Sequence, residues 1–394
     1  MHRELSRQNS GREGPVRQRP DTWRMRFIAR VLLLIVFQVL AFSFVSFPVA
    51  AQPMVESAPE IRLTLLEIRD EVLKGMEEVL RDHSGLLFTN TGERSFLSET
   101  AGLEMILHLY RGDRSSFDRQ FRLVESRFMG PLGLMAWKIA PENGSAELWN
   151  ASVDDLRVAK ALVLADKKWE SADYRKAAMG LGASLLKYNT EGNLLVDGCS
   201  WKKPGLTGKS RVDQKYTTST LAYADITAMR LLSGLDPEWV PVLQRMSGVL
   251  IEGMAGRDCP RLLFESSTGN YEDTGQDDEI IVRMMAMLYL AESGFVNMAN
   301  LDSTAFAAVS GRLLDNYGNE NISVISLAAL YLFHGGRKTE ALQTLGRLDN
   351  FRNDVPELSG LLGYEESEGV YSAWAFDNLL ALLAIETVLQ NGSQ

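Results

Sequence analysis

Cysteine and histidine are scarce in this chain of 394 residues. It has two cysteines, Cys199 and Cys259, and four histidines that are scattered along the sequence. No His-Glu-x-x-His pattern or other cluster with metal-ligand spacing occurs, so we expect no metal site and no cofactor. An exported chain could pair its two cysteines or keep two reduced thiols, and the sequence leaves both alternatives open.

Positive charge is also in short supply. The chain has 41 Lys and Arg against 51 Asp and Glu, a net charge of −10. Residues 1–51 alone carry +5, which leaves −15 on residues 52–394. This balance argues against nucleic acid and anionic membrane surfaces as partners, and it is compatible with a neutral or cationic polymer.

Several signatures of common enzyme classes are missing. No glycine-rich phosphate loop precedes a helix, and no Gly-x-Ser-x-Gly elbow occurs, which argues against nucleotide-binding proteins and serine hydrolases of that type. No convincing alternating strand is longer than four or five residues, so a β-sandwich or a doubly wound sheet is not expected.

The first positive feature of the sequence is an apolar segment near its N-terminus. Residues 27–47 are almost wholly apolar, with Arg30 as their one charge, and Val49 and Ala51 fit the small-residue rule of a signal peptidase site. We interpret residues 1–51 as a signal peptide cleaved after Ala51. The alternative is an uncleaved membrane anchor, because the apolar run is about as long as the ~20 residues of a spanning helix.

Most of the remaining chain has helical periodicity. The segment 60–82, for example, repeats apolar residues at spacings of three and four. Short turns and long loops alternate between the predicted helices, which favours helical hairpins arranged in a ring. We therefore predict an all-α fold, an (α/α)6 toroid of about twelve helices forming one domain over 57–391. The alternative is an α-solenoid of the tetratricopeptide kind, but the sequence lacks the 34-residue repeat that such a fold has. The predicted helices are 60–82, 98–111, 114–129, 152–167, 171–188, 217–233, 236–254, 277–293, 301–315, 321–334, 337–348 and 373–390.

Acidic residues open two of these helices. Ser98-Glu99 begins one of them, and Ser152-Val153-Asp154-Asp155 begins the other, with Asp155 at the capping-box position. Carboxylates at helix N-termini lie near the positive end of the helix dipole. Two such N-termini facing one cleft would form a two-carboxylate site, which is the arrangement that glycoside hydrolysis uses.

The two segments together resemble the motifs of glycoside hydrolase family 8, in a divergent bacterial branch linked to exopolysaccharide hydrolysis. The resemblance implies that Glu99 is the general acid and that Asp155, with Asp154 and Arg157, holds the sugar. Val153 stands where typical members have an aspartate. One sugar-holding carboxylate is therefore absent or moved to Asp154.

Three further segments extend the resemblance. Leu221-Ala222-Tyr223 is similar to a family segment that precedes a helix, and the loop around Glu265 is similar to one that carries an acid after an aromatic residue. The resemblance makes Glu265 the first candidate for the catalytic base and Asp258 the second. It gives Asp377, in a segment similar to the closing helix, a structural role.

Aromatic residues are concentrated in or beside the long loops. Sugar rings stack on aromatic side chains, so we expect at least two of these residues to line a glycan cleft, while others pack the loops onto the ring. The candidates for sugar binding are Trp137, Trp149, Tyr216, Tyr223 and Tyr271.

Together with the apolar N-terminal segment, the resemblance implies an exported or membrane-tethered monomer that cleaves a β-linked polysaccharide with inversion. Three alternatives stay open at this point: a glycan-binding or scaffold protein of the cell envelope that lost its activity, a helical-repeat interaction protein, and a polysaccharide lyase on a similar toroid.

Overall fold

The computed structural model describes residues 58–390, except 142–143, 203–209, 258, 274–278, 311–312 and 316. The predicted signal or anchor segment, 1–51, lies outside the described residues. The described part of the chain contains twelve α-helices, which we number in chain order. They are α1 Ala58–Gly75, α2 Ser98–Arg111, α3 Arg114–Leu123, α4 Ser152–Trp169, α5 Ala172–Asn189, α6 Ile226–Ser233, α7 Trp239–Met254, α8 Glu279–Glu292, α9 Met298–Ser310, α10 Ile322–His334, α11 Lys338–Gly346 and α12 Ala375–Gln390.

The six even-numbered helices form a closed inner ring. Each of them contacts the next, from α2 through α4, α6, α8 and α10 to α12, and α12 packs against α2; between α6 and α8 much of the contact comes from the 3₁₀ turn Leu221–Tyr223. The odd-numbered helices pack outside this ring, each against a neighbouring inner helix. The all-α fold predicted from the sequence, an (α/α)6 toroid of twelve helices, is therefore confirmed.

Burial differs between the two layers because the inner helices have protein on all sides. Every residue from Ile322 to Leu332 of α10 is buried, whereas α1 buries one stripe that includes Leu65 and Ile68. A helix that is apolar around its whole circumference is typical of a core position. An ion pair crosses this core: Lys160 Nζ lies 3.2 Å from Asp225 Oδ2 and 2.7 Å from Glu292 Oε2, joining α4, α6 and α8.

Short antiparallel sheets lie at one end of the ring, in the long loops that precede the inner helices. The strands are β1 Phe96–Leu97, β2 Lys138–Ile139, β3 Thr190–Glu191, β4 Leu194–Leu195, β5 Cys199–Lys202, β6 Arg211–Lys215, β7 Thr218–Thr220, β8 Leu263–Glu265, β9 Asn270–Glu272, β10 Tyr364–Ser367 and β11 Val370–Ser372. One sheet has three strands, in the order β7-β8-β9, and the others have two.

The prediction of one helix over 217–233 is wrong in its first half. Residues 218–220 form β7, which pairs with β8, and a 3₁₀ turn follows before α6 begins at Ile226. Asp225 caps α6, because its carboxylate accepts a hydrogen bond from Ala228 N at 2.8 Å. A cap at this position ends the extended segment and starts a shorter helix.

Both cysteines are free thiols. Cys199 is buried and Cys259 is partly exposed. Burial raises the pKa of the Cys199 thiol to about 12. Of the two alternatives left open by the sequence, the structure shows two reduced thiols rather than a disulfide.

Candidate active site

Three carboxyl side chains occupy the first turns of three consecutive inner helices. Glu99 is the second residue of α2, Asp154 the third of α4 and Asp377 the third of α12. Since α2 lies between α12 and α4 in the ring, Glu99 has an acidic neighbour on each side. We call Asp377, Glu99 and Asp154 the acid row.

Asp154 is held by two donors. Ser98 Oγ donates to its Oδ2 at 2.6 Å, and Arg157 Nη1 donates to its Oδ1 at 2.8 Å. Both Asp154 and Arg157 are buried. Burial raises the pKa of Asp154, while the Arg157 guanidinium opposes that shift. Asp154 and Arg157, both predicted to hold sugar, thus form an ion pair directly beside Glu99.

Glu99 is held differently. Its side chain is partly exposed, and its carboxyl group makes no hydrogen bond or ion pair with any residue in the described part of the chain. Burial of the carboxyl raises its pKa to about 7, helped by the charges of Asp154 and Asp377 and opposed by Arg157. A partly exposed carboxyl group that keeps its proton near neutral pH can act as a general acid.

Asp377 has two hydroxyl neighbours. The hydroxyl of Ser323, at the start of α10, donates to its Oδ1, and the Tyr364 hydroxyl of strand β10 also bonds to it. Asp377 is buried, and burial raises its pKa to about 6. The sequence resemblance gave this residue a structural role, and its contacts do join α10, α12 and strand β10.

Asp155 lies beneath the site and has no exposed surface. Its Oδ1 accepts Met135 N at 2.9 Å and its Oδ2 accepts Asn150 Nδ2 at 2.6 Å. Burial raises its pKa to about 8 against the effect of these donors. The predicted capping role is wrong, because α4 begins after Ala151 without a side-chain cap. Direct sugar holding does not fit a sealed carboxyl, which instead fixes the loop before α4.

That loop carries two of the predicted aromatic residues, Trp137 and Trp149, and Tyr216 of the loop before α6 packs beside them. The ring centroids of Trp137 and Trp149 are 4.9 Å apart, and those of Trp149 and Tyr216 are 6.3 Å apart. Glu147 Oε2 accepts both indole N–H groups, at 3.1 and 2.9 Å. All three rings are partly exposed. We call Trp137, Trp149 and Tyr216 the aromatic wall.

The aromatic wall adjoins the acid row. Ser98 N, at the start of α2, donates to Trp137 O at 2.9 Å, so the wall begins where the helix of Glu99 begins. Tyr223, in the 3₁₀ turn before α6, is also partly exposed, and burial raises its pKa, with Asp154 and Glu99 among the charges that act on it. These residues gather at one end of the ring.

Tyr271 is the predicted aromatic residue that the structure places elsewhere. Its hydroxyl donates to Val249 O at 2.8 Å and contacts Glu252 Oε2 at 3.2 Å, and its ring packs against Phe264. It lines a surface pocket beside the C-terminus of α7. Its inclusion among the sugar-binding residues is not supported by these contacts.

Glu265, the first candidate for the base, ends strand β8 and is buried. Its Oε1 accepts Ser267 Oγ at 2.8 Å and Ser267 N at 3.2 Å, and its Oε2 accepts Thr217 Oγ1 at 3.3 Å. Asp258, the second candidate, lies outside the described residues. The structure therefore brings together Glu99, Asp154, Arg157 and Tyr223, whereas Glu265 lies in a separate hydrogen-bonded group.

Asp197 is a buried acid near the cleft that the sequence analysis missed. Its carboxylate accepts Thr218 Oγ1 at 2.7 Å and Thr220 N at 2.5 Å, and burial raises its pKa to about 6. Its charge acts on both Tyr216 and Tyr223. The available signal in the sequence was the pair Asp197-Gly198, because glycine is used where the backbone closely approaches another group. In the structure, a Cβ on Gly198 would collide with Asn150 O.

The fold and the site together define a class of protein. The toroid gathers carboxyl groups and an aromatic wall at one end of its inner ring, and paired carboxyl groups are what glycoside hydrolysis uses. Among the described residues, no group of three or more His, Cys, Asp or Glu side chains could hold a metal ion.

Comparison with known proteins agrees with this class. The family model of the glycosyl hydrolases of family 8 matches residues 88–226, a stretch that contains Glu99 and Asp154. A Bacillus subtilis (strain 168) protein named "Putative lipoprotein YdaJ" is 28% identical over 320 residues, covering 77% of this chain and 83% of its own length.

Two solved structures are similar in fold. A protein described as a novel alpha-amylase from Clostridium perfringens has a TM-score of 0.70 and 25% identity, covering 81% of this chain and 97% of its own. Endoglucanase Cel10 from Klebsiella pneumoniae, described as a family 8 glycosyl hydrolase, has a TM-score of 0.56 and 16% identity, with 81% and 99% covered. The resemblance to family 8 is confirmed over residues 88–226, the stretch that the family model matches, and the chain is a glycosidase. The likeness to Cel10 concerns the fold.

Proposed function

We propose that this glycosidase hydrolyses a β-linked polysaccharide and that Glu99 donates the proton to the leaving oxygen. The observation that carries this proposal is the Glu99 carboxyl group, which has no hydrogen-bond partner among the described residues and a pKa near 7. The other acids described at this end of the ring accept hydrogen bonds from neighbouring groups. Asp155, whose pKa is also raised, has no exposed surface, whereas Glu99 is partly exposed and can give its proton to a bound sugar.

We further propose an inverting mechanism. Such a mechanism needs a second carboxylate, ~6.5–9.5 Å from the acid, that activates a water on the opposite face of the sugar. Glu265 and Asp258 are the candidates for this base. The charge of Glu265 acts on Asp197, which in turn acts on Tyr223 beside Glu99. These charge interactions link Glu265 to the group around Glu99 and support Glu265 as the base. To activate a water, Glu265 would have to exchange its hydrogen bonds with Ser267 and Thr217.

Substrate binding is assigned to the aromatic wall and Tyr223. Glu147 occupies both indole N–H groups of the wall, so Trp137 and Trp149 offer mainly their ring surfaces. Flat apolar surfaces suit the apolar faces of sugar rings, because burying both removes apolar area from water. Trp137 O accepts the backbone N–H of Ser98, the residue before Glu99, so the aromatic wall would place a bound polysaccharide chain next to Glu99.

Export through the N-terminal segment is part of the same proposal, either as a cleaved signal or as a tether to the outer face of the membrane. The apolar run at 27–47 and the lipoprotein name of the Bacillus subtilis relative support it. No helix within the described residues is long and apolar enough to cross a membrane. We also propose that the enzyme acts as a monomer.

The test is release of reducing ends from a panel of β-glucans, xylans and exopolysaccharides by the protein and by its Glu99→Gln variant. Starch belongs in the panel because one structural neighbour is described as an alpha-amylase. We expect one β-linked polymer to be cut, and Glu99→Gln to abolish cutting while the protein stays folded. Cutting of starch alone would overturn the β-linkage, and equal activity of both proteins would overturn the role of Glu99.

The stereochemical outcome is read from the same reaction. Proton NMR of the fresh product shows whether the new reducing end has the opposite anomeric configuration, as inversion requires. A product that keeps the configuration would point to a retaining mechanism, in which the two carboxyl groups stand only ~5–5.5 Å apart.

A further inference from the structure

The acid row contains more negative charge than its surroundings balance. Its three carboxyl groups lie in the first turns of adjacent helices, and the guanidinium of Arg157 supplies one positive charge beside them. Arg157 is itself shared with Tyr289 of α8. Like charges in a site that is largely removed from water repel strongly, so the row is more stable when one of its members keeps a proton.

Hydrogen bonding decides which member keeps it. Asp154 bonds with Ser98 and Arg157, and Asp377 bonds with Ser323 and Tyr364. Donors of this kind stabilise the ionised form of a carboxyl group. Glu99, between the two aspartates, has no such donor among the described residues. The proton of the row therefore belongs on Glu99.

We propose that Asp377 is a positioning residue for the acid: with Asp154 on the other side, its negative charge keeps the proton on Glu99. Asp377 does this through space, without touching the sugar, because it is buried. This inference rests on the proposed function, in which Glu99 must be protonated to act.

The groups that face Glu99 are consistent with this role. Asp154 and Arg157 approach it from α4, and Asp377 approaches it from α12. Tyr223, in the 3₁₀ turn before α6, also feels its charge. After burial, Asp154 and Asp377 both raise the pKa of Glu99, and Arg157 lowers it. The pKa of Asp377, about 6, leaves this neighbour ionised near neutral pH.

The hairpin β10–β11 fixes Asp377 in place. The Tyr364 hydroxyl accepts Ile322 N at 3.0 Å and also bonds to Asp377, so it joins the start of α10 to the first turn of α12. The Ser323 hydroxyl donates from the same end of α10. The charge that faces Glu99 therefore has a position set by two neighbouring elements of the ring.

The test compares pH profiles of kcat/KM for the protein and for Asp377→Asn. Because Glu99 must be protonated, activity falls as the pH rises through the pKa of Glu99. Removing the negative charge of Asp377 lowers that pKa, so the basic limb should move to lower pH by roughly half a unit to one unit. Asp377→Glu, which keeps the charge, should restore most of the original limb.

A matched control is Asp166→Asn. Asp166 is also a buried aspartate on an inner helix, but it lies near the opposite end of α4 and pairs with Arg175. It should leave the basic limb where it is. A shift as large as that of Asp377→Asn would show that the effect comes from loosening the ring, and would overturn the proposal.

A second readout does not depend on turnover. The carboxyl carbon of Glu99, observed by ¹³C NMR in protein labelled at glutamate and assigned with Glu99→Gln, reports its titration directly. A lower midpoint in Asp377→Asn supports the proposal even if no substrate is cut, and an unchanged midpoint overturns it even if Glu99 is the acid. Should Asp377→Asn not fold, Tyr364→Phe removes one donor from Asp377 and should shift the midpoint in the same direction, by less.

Discussion

Glu99 and Glu265 are the two residues that the sequence predicts as acid and base of one reaction, and their surroundings in the structure are opposite. Glu265 ends a strand and accepts hydrogen bonds from Ser267 and Thr217. Glu99 begins a helix, has carboxylates on either side and accepts no hydrogen bond from a described residue. Hydrogen-bond donors favour an ionised carboxylate, and nearby negative charge favours a protonated one. The comparison therefore supports the proposed role of Glu99 as the acid, while Glu265 remains the first candidate for the base.

The sharpest way to break this comparison is to remove each carboxylate in turn. Glu99→Gln should reduce kcat by about 10²- to 10⁴-fold, which is the usual contribution of a general acid, with little change in substrate binding. Glu265→Gln should cost a similar factor if Glu265 is the base. Turnover is measured as reducing-end release and binding by titration calorimetry.

Two outcomes would revise the assignment. A Glu99→Gln variant with full turnover removes Glu99 from the reaction. A Glu265→Gln variant with nearly full turnover assigns Glu265 to its strand, and Asp258→Asn then becomes the decisive variant.

A second comparison sets a buried aspartate in the first turn of a helix against an exposed one. Asp155→Ala leaves Met135 N and the Asn150 amide without their acceptor inside the protein, which should lower the free energy of unfolding by about 1–3 kcal/mol. Asp173→Ala, also in the first turn of a helix but exposed, should change it by less than about 0.5 kcal/mol. Denaturant unfolding measures both. Equal effects would contradict a supporting role for Asp155.

The aromatic wall offers a smaller effect on binding. Trp149→Ala should raise KM by roughly tenfold, because it removes one stacking surface and loosens Trp137 and Tyr216. Trp149→Phe, which keeps a ring there, should recover most of the loss. If both variants bind substrate as the native protein does, the wall is a packing feature only.

The pH dependence of the native enzyme follows from the same site. The pKa of Glu99, about 7, is raised above that of an ordinary glutamate. Glu99 is fully protonated well below pH 7, and this active form is lost as the pH rises through that value. We expect kcat/KM to fall by about half near pH 7 and by tenfold for each unit above pH 8. A constant kcat/KM up to pH 9 would exclude Glu99 as the proton donor.

Reducing agent should have the smallest effect. Since Cys199 and Cys259 are free thiols, dithiothreitol should leave the midpoint of thermal unfolding unchanged. Reduction of a native disulfide would instead remove about 2–5 kcal/mol of stability. A clear fall in the midpoint would show that the two cysteines pair in the purified protein.

Much of the ring was predictable because helical periodicity is a local property. The start of α4 at Ser152 and the start of α2 at Ser98, with Glu99 in its first turn, were both predicted from short segments. The segment 217–233 was not, because Thr218–Thr220 become a strand only by pairing with residues more than 40 positions later. Pairing at that distance leaves no periodic trace in the segment itself.

The site shows the same limit. Asp154 and Asp155 are adjacent, but one bonds to Ser98 of another helix and the other to the loop before its own helix. Likewise, the partners of Asp197 and Asp377 come from elsewhere in the chain. Sequence reasoning could identify acids at helix starts, but it could not identify the donors that decide what each acid does.

The closed ring also has a topological consequence. The first described helix, α1, packs against α11 and α12, so the beginning and the end of the described chain belong to adjacent hairpins. A new peptide connection between them, with a new break at the tight turn of Gly112 and Asp113, would keep every helix neighbour and leave the cleft loops intact. The order of the six hairpins along the gene is thus a matter of where the circle is opened, and a circularly permuted chain should assemble the same acid row.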